Sequence, residues 1–262
     1  MISRKDGYAL VTGASSGIGY ELAKLFARDG KNVVVVARRP DRLEELRREV
    51  EANHGTTVIV LPKDLSSPGA PNEIFLELQE RGIEVDVLVN NAGFGVYGLF
   101  LDTDLDEELQ MIQVNAASLV HLTKLFLKGM VENGSGGILN VASICSFFST
   151  PLESVYCATK ALVLHFSEAL ANELQGTGVT VTCLCPGLAR TEFQRRARME
   201  NSRVAKRRMM DAAAVAEVGY KGLRKGKLIV VPGLEYKFGP WFARLAPRSL
   251  VTRVVRSQHE TA

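Results

Sequence analysis

Tyr156 and Lys160 stand four residues apart in a stretch with helical spacing, so their side chains share one face. That pairing suits proton transfer. A free phenol has a pKa of about 10, too high for a base at neutral pH, whereas a fixed ammonium one turn away favours the phenolate and lowers that value. A Tyr–Lys pair is also common on any solvent-facing helix. Its meaning depends on what surrounds it.

A second constellation opens the chain. The apolar run Tyr8 to Thr12 leads into Gly13-Ala14-Ser15-Ser16-Gly17-Ile18-Gly19, and a helical pattern follows. Glycines let the backbone turn sharply and approach a pyrophosphate, whose charge is favoured by the N–H groups at a helix start. The glycines at 13, 17 and 19 do not keep the spacing of the general dinucleotide fingerprint. Beyond the next strand, Val33 to Ala37, come Arg38 and Arg39. A site for NAD places a carboxylate there to bind the adenosine ribose hydroxyls. With Ala37-Arg38 instead, a guanidinium is available to grip a 2′-phosphate in forked geometry, which favours NADP(H). Arg39 can equally be solvated.

These residues need a frame, and the chain alternates strand-like and helix-like segments from the start. Strands are predicted at 8–12, 33–37, 57–61, 85–89, 137–142, 179–184 and 227–231. Helices are predicted from Ile18 to Asp29-Gly30, at 41–52, 72–79 and 154–174, with one long helix over 105–131. Such alternation predicts an α/β fold, a single doubly wound Rossmann-type domain over 1–262 with a mainly parallel sheet and helices on both faces. Residues 188–210 and 233–262 depart from the cycle and read as a substrate loop and a C-terminal extension.

The stretch 12–19, Asn90-Asn91-Ala92-Gly93 after the fourth strand, and Tyr156-Cys157-Ala158-Thr159-Lys160 together resemble the short-chain dehydrogenase/reductase family. The likeness spans roughly residues 8–192, with Asn115, Ser143 and Pro186-Gly187 at fitting places. It implies an oxidoreductase that moves hydride between a nicotinamide and a carbonyl or alcohol carbon. Tyr156 would donate or take the proton, Ser143 would bind the reacting oxygen, and Lys160 would also hold the nicotinamide ribose. Asn115 would support a proton-relaying water. On the cofactor, the resemblance assigns Gly13, Ser15, Ser16, Gly17, Ile18, Gly19, Arg38 and Arg39 to the phosphates. It assigns Asp64 and Leu65 to the adenine, Asn91, Ala92 and Gly93 to the inner edge, and Pro186, Gly187, Leu188 and Thr191 to the nicotinamide amide. Asp64 can also cap a following helix. The alternative is a protein of the same fold that senses NADP(H) or acts as a scaffold without catalysis. The full set Asn115, Ser143, Tyr156 and Lys160 speaks against it.

Composition is that of a soluble globular chain, 46% hydrophobic and 23% charged, and a net charge of +3 gives no reason to expect nucleic acid. Met1 to Gly7 lacks an apolar leader and no apolar stretch reaches ~18 to 20 residues, so a cytoplasmic protein is expected. Cys145, Cys157, Cys183 and Cys185 read as buried thiols, and no metal site is expected. Phe94, Tyr97, Phe100, Phe147, Phe148 and Leu152 suggest an apolar pocket or core, suited to a lipophilic ketone, steroid or 3-oxoacyl substrate. The basic run 195–208 reads as a solvated face or a site for a phosphate-bearing acyl carrier. The tail from Phe238 to Arg256 suits packing across the pocket mouth or a partner subunit, the preferred reading, or weak contact with a membrane surface. The family resemblance also implies a homo-oligomer, built through the helices at 105–131 and 154–174.

Overall fold

Val33 to Val36 are all fully buried, as a strand covered on both faces requires. The computed structural model describes residues 7–237, 243 and 245–259. It forms a seven-stranded parallel sheet in the order β3-β2-β1-β4-β5-β6-β9. The strands are β1 (Tyr8–Thr12), β2 (Asn32–Ala37), β3 (Val58–Pro62), β4 (Val85–Asn90), β5 (Gly136–Val141), β6 (Val179–Leu184) and β9 (Ile229–Val230). The order reverses between β1 and β4, which opens a crevice at the carboxyl ends of the strands. The doubly wound α/β expectation holds.

One face of the sheet carries α1 (Gly17–Arg28) and α2 (Pro40–His54), whose Leu22, Phe26, Leu43 and Leu46 pack on Val33 and Val35. The other carries α3 (Ala70–Glu80), α5 (Ser118–Glu132) and α6 (Ser154–Glu173), with Ile74, Leu78, Leu122, Phe126 and Leu170 over Val34 and Leu88. Alternate residues of each strand therefore feed opposite layers.

Three segments differ from expectation. The long helix over 105–131 is broken into α4 (Leu105–Ile112), a π turn over Gln113–Ala117, and α5. The extra residue in that turn carries Asn115 into the interior, where its amide bonds the backbone of Phe94. The second difference is a helix not foreseen, α8 (Ala212–Arg224), which buries Val215, Ala216, Tyr220 and Leu223 beside α1. The Tyr220 ring stands edge-on to Phe26 at 5.0 Å, and its hydroxyl donates to Asp29 at 2.7 Å. Third, the last strand contracts from 227–231 to two residues, paired only with Cys183 and Leu184.

Within 188–210, β7 (Ala189–Arg190) pairs in parallel with β8 (Met210–Asp211), and α7 (Phe193–Arg196) lies between them. The tail contributes α9 (Leu234–Lys237) and α10 (Arg248–His259). Phe238, Trp241, Phe242 and Arg244, singled out in the tail, lie outside the described residues. Among the described residues no helix is long and apolar enough to cross a membrane.

Candidate active site

A cavity of about 1160 Å³ opens over the carboxyl ends of the strands. Its inner wall begins where β1 turns into α1. Gly13 has φ +67°, and a Cβ there would come within 2.8 Å of the Ala92 Cα. A Cβ at Gly19 would collide with the Asn91 amide and the Gly13 carbonyl. The loop is therefore glycine by necessity. Thr12 Oγ1 accepts from the backbone N–H of Asn91 and Ala92, each at 3.0 Å, and Asn91 Nδ2 donates to the Thr12 carbonyl at 2.8 Å. These bonds lock the β1 and β4 turns together. Ser16 makes no capping bond to the first turn of α1, so those N–H groups are not satisfied by its own N-cap side chain.

Every position singled out for the cofactor lines this cavity except Gly19, which lies behind the loop it shapes. Arg39 is not merely solvated: it donates to Ser15 Oγ at 3.1 Å and pairs with Glu192 at 2.9 Å. That bond holds the Glu192 carboxyl below the usual range. Arg38 remains exposed on the same wall and makes no ion pair among the described residues. Asp64 does not cap α3, because a turn intervenes. Its Oδ1 accepts instead from the Ser66 N–H at 2.9 Å.

At the cavity floor, Ser143 follows β5 as the cap of a 3-10 turn, and Tyr156 and Lys160 rise from α6. Tyr156 and Lys160 are both buried, at 9% and 4% exposure. Lys160 Nζ donates to the Val141 carbonyl at 2.9 Å and lies 5.9 Å from the Tyr156 ring centre. Burial drives its pKa down to about 8. The expected lowering of the Tyr156 pKa by Lys160 does not survive packing. Burial pushes the phenol up, the Cys145 thiol, the Glu153 carboxylate and the Cys157 thiol act in the same direction, and the Ser143 hydroxyl bonded to it pulls down more weakly. Packing thus raises the Tyr156 pKa, opposite to the direction expected from Lys160 alone.

Asn115 does not reach the cavity. Its Oδ1 accepts from the Phe94 N–H at 3.1 Å, while Nδ2 donates to the Phe94 carbonyl at 2.9 Å and to Thr159 Oγ1 at 3.2 Å. With its side chain so committed, it fixes the turn that follows β4 against α6.

Of the aromatic residues singled out, Phe94 and Phe148 line the cavity, as does Phe193. Tyr97, Phe147 and Leu152 do not, and Phe100 points outward at 65% exposure. Residues Arg195, Arg196, Arg198, Arg207 and Arg208 of the basic run stand on the rim. Arg196 and Arg198 pair with Glu107, and Arg196 also stacks 4.7 Å above Phe94. Among the polar lining residues that sequence reasoning missed are Glu153 and His259. Both face the cavity, 106 positions apart in sequence, and no local pattern joins them. All four cysteines are buried free thiols, as expected. Among the described residues no cluster of His, Cys, Asp or Glu side chains is arranged to hold a metal ion.

The sequence profile of the short chain dehydrogenases matches residues 7–202. The chain is a short-chain dehydrogenase/reductase. Relatives include a short chain dehydrogenase of Pseudocercospora fijiensis, 38% identical over 71% of this chain, which spans 60% of that relative's length. A very-long-chain 3-oxoacyl-CoA reductase of Anas platyrhynchos is 30% identical over 95% of this chain and 78% of its own. Among solved structures, a short-chain dehydrogenase from Sphingobium yanoikuyae in complex with NADPH superposes with a TM-score of 0.83. Its identity is 30%, with 97% of this chain and 98% of that one covered. The matched segment carries the glycine turn, Ser143, Tyr156 and Lys160.

Proposed function

We propose that the chain is an NADP(H)-dependent carbonyl reductase whose substrate is a lipophilic ketone or 3-oxoacyl compound. One observation carries this reading: a buried Tyr156 with Ser143 on its hydroxyl and Lys160 behind its ring, at the base of a partly apolar cavity. The glycine turn fits a dinucleotide, since positive φ at Gly13 and Gly17 lets the backbone of the cavity wall turn with no Cβ in the way. Bound there, the nicotinamide cofactor supplies the hydride. The N–H groups of Ser15 to Gly19 would hold the pyrophosphate and Arg38 the 2′-phosphate, with Arg39 bracing the loop through Ser15. Asp64 and Leu65 would flank the adenine, and Asn91 to Gly93 and Pro186 to Thr191 the inner end. Lys160 would hold the ribose. Tyr156 gives its proton to the carbonyl oxygen, and Ser143 hydrogen-bonds the same oxygen where charge develops. Asn115 acts from behind, by holding Phe94.

The NADPH-bound neighbour supports the cofactor choice, and the 3-oxoacyl-CoA reductase likeness supports the acyl substrate class. Exposed Leu105, Leu109 and Ile112 on α4, with Leu162 on α6, fit the expected homo-oligomer. The test is NADPH consumption against ketones, aldehydes and 3-oxoacyl thioesters, with NADH in parallel. Turnover of one class with NADPH identifies the substrate chemistry. Faster turnover with NADH overturns the cofactor choice, and tight NADPH binding without turnover of any class favours the sensing role.

A further inference from the structure

Helix α10 lies across the mouth of the cavity. Val251, Val255 and His259 fall at successive four-residue steps, so one stripe of the helix faces inward. At its end His259 Nε2 lies 3.2 Å from a Glu153 carboxylate oxygen, with the two side chains only 12% and 6% exposed. His259 Nδ1 lies 2.9 Å from the Val255 carbonyl. A carbonyl can only accept, and so can a carboxylate. Both ring nitrogens must therefore donate, and the ring that satisfies this geometry is the imidazolium. The Tyr97 hydroxyl donates to the His259 carbonyl, which fixes the backbone as well. Glu153 is the N-cap residue of α6, less than one turn before Tyr156.

We propose that His259 is a positioning residue for the reaction: it pins α10 over the cavity by binding Glu153, and it screens the carboxylate that Tyr156 faces. The screening half rests on Tyr156 being the proton donor. The pinning half does not.

The groups around the pair agree with this arrangement. Burial opposes charge on His259, but the bonds to Glu153 and Val255 outweigh it, and the net pKa is raised. Arg207, which reaches Gln258 at 3.4 Å, is the cation that acts against it. Tyr156 meets Glu153 together with Cys145, Cys157, Ser143 and Lys160. Of these, Glu153 is the carboxylate, so neutralising it changes what ionising the phenol costs. Because the His259 pKa is raised on folding, closure is complete below the unperturbed value of about 6.5 and is lost as pH rises through the higher folded value.

The test uses the intact protein and four variants. Hydrogen exchange over residues 248–259, corrected for the intrinsic effect of pH, reads closure directly. In the parent, protection should fall as pH rises from 6 to 9. His259→Gln should be unprotected throughout, and His259→Lys, which keeps a cation up to a pKa of about 10, should be protected throughout. Steady-state kinetics on a bulky ketone that the parent reduces should show KM raised about tenfold in His259→Gln. The alkaline apparent pKa of kcat should move up in that variant and down in Glu153→Gln, a split that loss of a purely structural contact does not produce. Equal protection in His259→Gln and the parent overturns the pin. An alkaline limb unmoved in both Gln variants overturns the screening. Full turnover by Tyr156→Phe sinks the proton-donor reading itself and leaves the exchange result standing.

Discussion

Two lysines are buried among the described residues, at opposite ends of the same sheet, and they are treated differently. Lys31, just before β2, is 7% exposed and meets the Asp86 carboxylate at 2.6 Å. Lys160, at the carboxyl ends of the strands, is 4% exposed and has a backbone carbonyl, a tyrosine ring and thiols around it. A buried cation with a carboxylate partner is a stable architectural choice, since removing either partner leaves a stranded charge. A buried cation given only dipoles is held at a cost, and its pKa falls to about 8. On the proposed function, the amino end of the sheet serves stability and the carboxyl end serves chemistry.

Variants at the two ends should separate these roles. The largest effect belongs to Tyr156→Phe, for which we expect turnover to drop by about 10² to 10⁴-fold with NADPH affinity nearly unchanged. Stopped-flow reduction alongside a binding titration checks both. Next, Asp86→Ala should cost up to about 3–5 kcal/mol of stability by removing the carboxylate that meets the buried Lys31 ammonium, while the folded fraction keeps its activity. Denaturant melts with parallel assays would show it, and a stable Asp86→Ala protein would break the comparison.

Arg38→Asp should reduce the preference for NADPH over NADH by about 10 to 100-fold, the scale of one charge-assisted contact. The ratio of kcat/KM values decides it.

The subtlest effect is thermal. Lys160→Met should abolish turnover yet raise Tm at pH 7. The Lys160 pKa is depressed on folding, from 10.5 to about 8, so the unfolded chain binds the extra proton between those values. Stability of the parent should therefore rise with pH across that window, and the advantage of Lys160→Met should shrink there. A constant difference in Tm from pH 7 to 10 would show that Lys160 carries no such penalty.

Much of the cofactor half was legible in the sequence. Its strands are continuous β-branched runs, its turn needs glycine, and Tyr156 and Lys160 are brought together by one helix. The half that closes the cavity was legible only in pieces. Helix α8 is built on alanine and glycine around Val215, Tyr220 and Leu223, a stripe too thin to stand out from its surroundings. The π turn at Asn115 has no signature in residue types, because it arises from a bond to Phe94, 21 positions away. The tail read on composition alone as packing across the pocket mouth or a partner subunit, or as a membrane contact, and α10 does lie across the pocket mouth.

The sequence by itself determined the strand–helix alternation through β6, the glycine cradle, the arginine after β2 and the Tyr–Lys pair. Each depends on neighbours within a turn or a strand, where spacing translates directly into geometry. Only the tertiary structure decided that burial raises the Tyr156 pKa and lowers that of Lys160, and that His259 meets Glu153. Those properties depend on which groups exclude water and which charges come within a few ångströms, and both are set by packing between distant parts of the chain.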